Sequence, residues 1–300
     1  MSNSYILIKN MGVNFMKKIA IIADLHSNMF AFNKILEELK NENIDEYIFL
    51  GDYVLDGFDF NEVLEKIRDL THNVVLGNKE ELLNFENMEL LRKQDRWKNV
   101  IYAYDRIKLE NFEYIRNLPI YKTLSIENRK ICYFHGSPYN TREGILEDSY
   151  EMLDKLIKEF DFDIYLMGHT HINFYKEYKG KIFINPGTAS FPIEGESKFS
   201  YGILYIDGKN VNYKQMGIDY DYEEAKSYLL SQDYHINAKI WAELLLCHLK
   251  YCQNYTLNFS EFVSKEANNR KIDISKETPN SLWNEMYKEF KKIHKEIEEI

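Results

Sequence analysis

The chain has 300 residues, 45% of them hydrophobic and 29% charged, with a formal net charge of -10. That is an ordinary globular composition with enough apolar material for a sizeable core. The acidic balance disfavours a surface built to hold long nucleic acid, yet leaves a small phosphate ester open, because metal ions can reverse a local potential. Cys132, Cys247 and Cys252 are an odd number without CxxC spacing, so they read as buried free thiols and not as a disulfide frame or thiolate zinc site. No apolar run approaches the ~20 residues that span a bilayer. The first fifteen residues lack the basic and then apolar pattern of a signal peptide. A cytoplasmic protein without a membrane partner is expected, with residues 1–16 as a disordered or non-essential extension.

Residues Lys18–Ala23 (KIAIIA) are a nearly continuous apolar run, which suits a strand covered on both faces. A helical stripe follows at Phe32, Ile35, Leu36 and Leu39, and then a second strand at Tyr47–Leu50. Phe60–Leu70 is predicted helical and Asn73–Leu76 a third strand, so the region reads as a parallel strand–helix–strand series. Residues 79–118 are mostly helical up to Pro119. There Leu82, Leu83, Met88 and Leu91 can pack on a sheet, and Trp97, Tyr102 and Tyr104 fill core or line a groove.

Ile131–Phe134 and Ile164–Met167 are predicted strands, with a helix over Met152–Phe160 between them. Short strands follow at Phe174–Tyr178, Lys181–Ile184, Tyr201–Ile206 and Val211–Gln215, with hairpin chemistry at Lys179-Gly180 and Asp207-Gly208. From about Asp219 the pattern is helical: Tyr222–Leu230, Ala238–Cys247, Phe259–Ala267 and Ser281–Ile297, the last with Ser281 as an expected N-cap. The expected fold is α/β, a four-layer α-β-β-α sandwich of two mixed sheets flanked by helices. Residues 17–218 would form it, and 219–300 a helical extension with a packing, lid or partner role.

Polar residues collect where these strands end. Asp24 and His26 close the first, Asp52 the second, Asn78 the third and His135 the next, and His169 and His171 follow the one after. Loops at the carboxyl ends of parallel strands converge on one edge of an open α/β sheet. Asp24 and His26, like His169 and His171, are two apart, so in extended backbone each pair addresses one side. Carboxylate, imidazole and amide ligands suit Mn, Fe, Zn, Ni or Co, and not a soft thiolate site. Each piece alone has a plainer reading: a turn at Gly51-Asp52, a helix cap at Asn78, a satisfied core histidine.

As an ordered set, Asp24-Leu-His26-Ser-Asn28, Gly51-Asp52, Gly77-Asn78, His135-Gly-Ser-Pro138 and Gly168-His-Thr-His171 resemble the calcineurin-like metallophosphoesterase superfamily over residues 17–218, and its compact bacterial and archaeal phosphodiesterases in particular. The resemblance implies two divalent metal ions, Mn before Fe, Ni, Co or Zn. Asp24, His26, Asp52 and His171 would hold one ion, and Asp52, Asn78, His135 and His169 the other, with Asp52 bridging. Asn185-Pro186-Gly187 resembles the family's structural segment below the site.

Many members carry a histidine directly after the asparagine ligand, and this chain has Lys79 there. Lys79 is expected to contact phosphate or assist the leaving group, so Asp52, Asn78, His135 and Lys79 are the expected catalytic set. Asn28 is a candidate to hold the metal ligands from behind, and Asn140 and Arg142 are candidates to meet the non-reacting part of the substrate. Two metals can bridge a hydroxide, lower its pKa and bind both phosphate oxygens. The expected function is hydrolysis of a small-molecule phosphodiester by metal-bridged hydroxide attack. A phosphomonoester or protein phosphatase, a nuclease, and a non-catalytic protein-binding scaffold on the same fold are the alternatives.

Overall fold

The computed structural model describes residues 16–193, 195, 197–208, 210–274 and 277–300, so the expected extension of residues 1–15 lies outside the described residues. The strands are β1 (Lys17–Ile22), β2 (Glu46–Phe49), β3 (Tyr121–Ile126), β4 (Arg129–Phe134), β5 (Ile164–Leu166), β6 (Phe174–Tyr178), β7 (Lys181–Asn185), β8 (Lys198–Asp207) and β9 (Asn210–Asp219). The first helices are α1 (Met29–Leu39), α2 (Phe60–Leu70), α3 (Asn78–Leu83), α4 (Met88–Arg92), α5 (Lys98–Tyr104), α6 (Leu109–Arg116) and α7 (Tyr150–Glu159). The tail adds α8 (Tyr222–Leu229), α9 (Tyr234–Asn237), α10 (Lys239–Tyr251), α11 (Tyr255–Asn269) and α12 (Asn280–Ile293).

Two mixed sheets face each other, one in the order β2-β1-β8-β9 and the other in the order β3-β4-β5-β7-β6. β1 and β2 are parallel, as are β4, β5 and β7, and the remaining pairings are antiparallel. Alternation along the strands builds the layers. Ile19 and Ile21 of β1 meet Ile131, Tyr133, Ile164 and Leu166 between the sheets. Ala20 and Ile22 face the other way, onto Phe32, Ile35, Val63 and Ile67 of α1 and α2. Cys132, Phe134 and Tyr165 cover the far face against Leu153 and Leu156 of α7. The result is the expected four-layer sandwich with a helical extension.

The tail is packed into the same core. Leu229, Tyr234, Ala242, Leu245 and Leu249 share one cluster with Phe32 and Phe60, while Phe259, Trp283, Met286 and Phe290 form a second core among the tail helices. All three cysteines are buried and free.

Two local expectations change, and one strand was not expected. Residues 73–76 make only a single parallel bridge, Phe49 to Val74, because Leu76 N–H already turns to the Pro119 carbonyl. The edge strand β3 escapes the sequence pattern because its side chains alternate only between half-buried and exposed. Ser281 is not an N-cap: α12 begins at Asn280 behind Pro279, whose fixed φ and missing N–H suit a helix start.

Candidate metal centre

β1, β2, β4 and β5 all end at one edge of the sandwich, and the residues just past them form the site. The backbone there is unusual. Asp24, His26, Asp52, His169 and His171 have φ of 57°, 45°, 56°, 68° and 61°, a region that non-glycine residues seldom occupy and that persists where the surroundings enforce it. Asp24 is held by Ser190 Oγ and Thr188 Oγ1, which donate to its carbonyl at 2.7 and 3.2 Å. Gly51 and Gly77 admit the close approach: a Cβ on Gly51 would stand 2.6 Å from His135 Nδ1, and one on Gly77 2.2 Å from the Asp52 nitrogen.

Glu80, fully buried, ties the Asp52 loop to the Asn78 loop. Its Oε1 accepts from the N–H groups of Tyr53 (2.8 Å) and Val54 (3.1 Å), and its Oε2 from those of Asp52 (3.1 Å) and Gly77 (2.8 Å). Burial and the nearby Asp52 charge push its carboxyl up to about 7, against those four donors.

Two ligand clusters sit side by side. The donor atoms of Asp24, His26 and His171 lie within 4.8 Å of one another, as do those of Asp52, His135 and His169. In the first cluster His26 Nε2 and His171 Nε2 face each other at 3.2 Å, with Asp24 Oδ1 at 3.3 Å from His171 and 3.9 Å from His26. Asp24 Oδ1 is buried and makes no hydrogen bond of normal geometry among the described residues. Two imidazole nitrogens and an orphaned carboxylate oxygen aimed at one point fit a divalent cation.

In the second cluster His135 Nε2 lies 3.0 Å from Asn78 Oδ1 and 3.4 Å from Asp52 Oδ1. The His135 Nδ1 is 2.7 Å from the Leu50 carbonyl, which fixes Nδ1–H as donor and leaves Nε2 for the site. Asp52 reaches both groups, since its Oδ2 is 3.9 Å from His26 Nε2. The structure thus brings all seven expected ligand residues to one place.

The electrostatics agree with a cation socket. Burial would raise Asp52, but the charge and hydrogen bond of His135 outweigh it and hold the carboxylate well below its ordinary range. Burial lowers His135, yet Asp52 and Asp24 lift it to about 9. A divalent ion bound here would take the place of that proton, because metal ligation requires a neutral imidazole.

Sequence reasoning missed Asp56, which is buried at φ 58° in the loop after Asp52. Its Oδ2 lies 3.3 Å from His26 Nδ1 and 2.5 Å from Lys79 Nζ, and its Oδ1 accepts from Asn99 Nδ2 at 3.1 Å. A carboxylate behind a ligating histidine orients the ring and raises its basicity. Burial would lower Lys79, but Asp56 and Asp52 outweigh it and hold the ammonium protonated.

Other expected roles change. Asn28 is not behind a ligand, for its Oδ1 caps α1 by accepting from Ala31 N–H at 3.0 Å. Arg142 pairs with Glu81 at 3.2 Å, and the Asn140 side chain accepts from the Arg142 N–H. Asn185 does shape the floor: its Nδ2 donates to the Gly168 carbonyl at 2.8 Å and to Thr170 Oγ1 at 3.0 Å. Trp97, Tyr102 and Tyr104 do not border the site; Tyr102 is buried, with its hydroxyl donating to Asp233 at 2.7 Å.

A cavity of ≈ 440 Å³ opens over the clusters. His26, Asp52, Asn78, His169 and His171 form one side, and Trp241, Leu245, His248, Thr256 and Ser260 from α10 and α11 form the other. No particular tail residue was expected at the site, because the tail carries no ligand-like spacing, although a lid role for the tail as a whole was among the expectations.

Residues 16–209 match the calcineurin-like phosphoesterase superfamily domain, and the chain belongs to that superfamily. With two Asp/His clusters on this fold, it is a metal-dependent phosphoric ester hydrolase. It is 31% identical to an uncharacterised protein of Methanocaldococcus jannaschii over 224 residues, covering 69% of this chain and 89% of that one. Two solved structures share the fold. A metallophosphoesterase from Sphaerobacter thermophilus has a TM-score of 0.64 at 22% identity, covering 79% of this chain and 100% of the other. A hypothetical protein from Pyrococcus horikoshii OT3 has a TM-score of 0.62 at 24% identity, covering 76% and 97%.

Proposed function

We propose that this chain is a dinuclear phosphoesterase that hydrolyses a small-molecule phosphodiester. The observation that carries the reading is Asp52, whose two oxygens face the two ligand clusters separately. Asp24, His26 and His171 would hold one ion with Asp52, and Asn78, His135 and His169 the other. Mn is the first candidate metal, before Fe, Ni, Co or Zn. When bound, such a pair supplies Lewis-acid polarisation of phosphate oxygens and an activated water nucleophile.

The chain's own residues do the rest. Asp52 fixes the spacing of the two centres. His135 is turned by the Leu50 carbonyl, so its ring need not reorganise on binding, and the Asp56 carboxylate stands 3.3 Å from His26 Nδ1. Lys79 presents a protonated ammonium at the cavity and assists by charge, since its ion pair with Asp56 opposes a neutral, proton-donating form. The enclosing tail helices favour a small ester over a protein or polymer substrate. Residues 17–218 are assigned as the catalytic domain and 219–300 as its helical extension, in a cytoplasmic protein.

The test is hydrolysis of bis(4-nitrophenyl) phosphate by protein reconstituted with Mn, beside a monoester. Asp52→Asn and His171→Ala are expected to lose roughly 10²–10³-fold in kcat, the scale on which pre-placed charge stabilises a transition state. Wild-type rates in both variants, or a chain that retains no metal, would sink the reading.

A further inference from the structure

The tail wall of the cavity has a definite chemistry. Trp241 is held in place by its indole N–H, which donates to the Arg96 carbonyl at 3.1 Å, and by the tilted Trp283 ring 5.9 Å away. Leu245 and Phe191 are buried beside it, and Leu257 is half-exposed on α11. Asn254, Thr256 and Ser260 add short polar groups without charge. Among the described residues lining the cavity the one Lys or Arg is Lys79, already paired with Asp56 on the metal side.

His248 borders the same cavity at 2% exposure, and neither of its ring nitrogens makes a hydrogen bond of normal geometry among the described residues. A buried polar group left unpaired is destabilising, and a ligand able to bond it would relieve that cost. Burial depresses the imidazole to about 3, with His171 acting the same way and the Pro192 carbonyl opposing, so the ring is neutral and offers one donor and one acceptor.

We propose that α10 and α11 form the recognition wall for the non-reacting part of the substrate, and that this part is uncharged, carries an apolar or flat group against Trp241 and Leu245, and bears a hydrogen-bonding function that His248 meets. The inference rests on the phosphoesterase reading for where phosphate sits and deepens it by naming the substrate class. A cavity of ≈ 440 Å³ holds a small organic phosphoester. A second phosphate or carboxylate on the remote side would be desolvated with no cation to meet it.

Calorimetric binding of phosphonates to the Mn-loaded full chain tests this without turnover. Phenylphosphonate is expected to bind about tenfold tighter than methylphosphonate, and 2-carboxyethylphosphonate no tighter than methylphosphonate. 4-Hydroxyphenylphosphonate should gain a further few-fold, and His248→Phe should erase that gain alone. Ser260→Glu, with Leu257→Glu as a second and more exposed variant, should bring the phenyl-to-methyl affinity ratio towards one, with the fold checked by thermal unfolding. Equal affinity of the phenyl and methyl probes, or tighter binding of the carboxylate probe, overturns the proposed wall. Phenyl binding that survives metal removal and is still lost in Ser260→Glu keeps the wall and sinks the metal reading. Failure of every probe to bind sinks both.

Discussion

The two sides of the cavity are built by opposite means. On the metal side the chain is bent: five ligand residues sit at positive φ, and buried polar contacts from Glu80, Ser190, Thr188 and Asn185 brace the loops that carry them. On the facing side stand ordinary helices, α10 and α11, whose ranks of Leu, Ala and Phe fill cores and leave a few side chains over for the cavity. Strain and polar satisfaction fix positions to fractions of an ångström, which chemistry needs. Plain packing fixes a surface only to its shape and polarity, which recognition needs. On the proposed reading, reaction and selectivity occupy different parts of this chain and respond to different mutations.

The sharpest way to break it is Glu80→Ala. That change leaves four buried N–H groups of two site loops without an acceptor, each worth about 1–3 kcal/mol. The expected loss exceeds about 3 kcal/mol in thermal unfolding, together with loss of bound metal; an unchanged melting temperature would mean the loops are held by something else. Asp56→Ala comes next. It frees the His26 ring and the Lys79 ammonium, and metal affinity or kcat should fall about 10–100-fold, read by metal titration and steady-state kinetics.

On the tail side the effects are milder and pH-dependent. His248 has a folded pKa of about 3, below its ordinary 6.5, so the unfolded chain takes up a proton first as pH falls. Its contribution is intact above about 6.5 and is lost progressively towards 3. His248→Phe should therefore flatten the acid limb of stability by about one proton, ~1.4 kcal/mol per pH unit. Denaturant unfolding of the metal-free protein between pH 4 and 7 measures it.

The smallest effect is at Asp59, which accepts from the Tyr228 hydroxyl at 2.7 Å where α8 meets the domain. Burial raises its carboxyl to about 6 from 3.8, so the folded chain holds a proton that the unfolded one has released. Stability from that group is full below about 3.8 and declines as pH rises through about 6. Asp59→Asn should remove this shallow decline; a steeper one would contradict the assignment.

The sequence made the metal side legible because ligands need particular elements at particular spacings. Asp24, His26, Asp52, Asn78, His135, His169 and His171 stand at strand ends, and the nearly continuous apolar runs of β1, β4 and β5 mark strands covered on both faces. Asp56 was not legible, because a carboxylate in a loop carries no periodic signal until the chain is folded. The tail's helices were readable from their apolar stripes. Their seat against the cavity was not, since Trp241, His248 and Ser260 lie on segments whose spacing says only helix. β3 and the bridge at Val74 show the same limit at sheet edges, where a strand is defined by its neighbour more than by its own residues.

The bracing of Asp52 and Asn78 by one side chain has a consequence for how the protein meets its metals. Because the Glu80 carboxylate spans both loops using main-chain partners alone, the placing of Asp52 relative to Asn78 is set during folding and not by whichever cation arrives. Loading should then resemble filling a finished mould: quick and nearly free of structural change, with affinity rising along the first-row series and supply in the cell deciding which metal the enzyme carries.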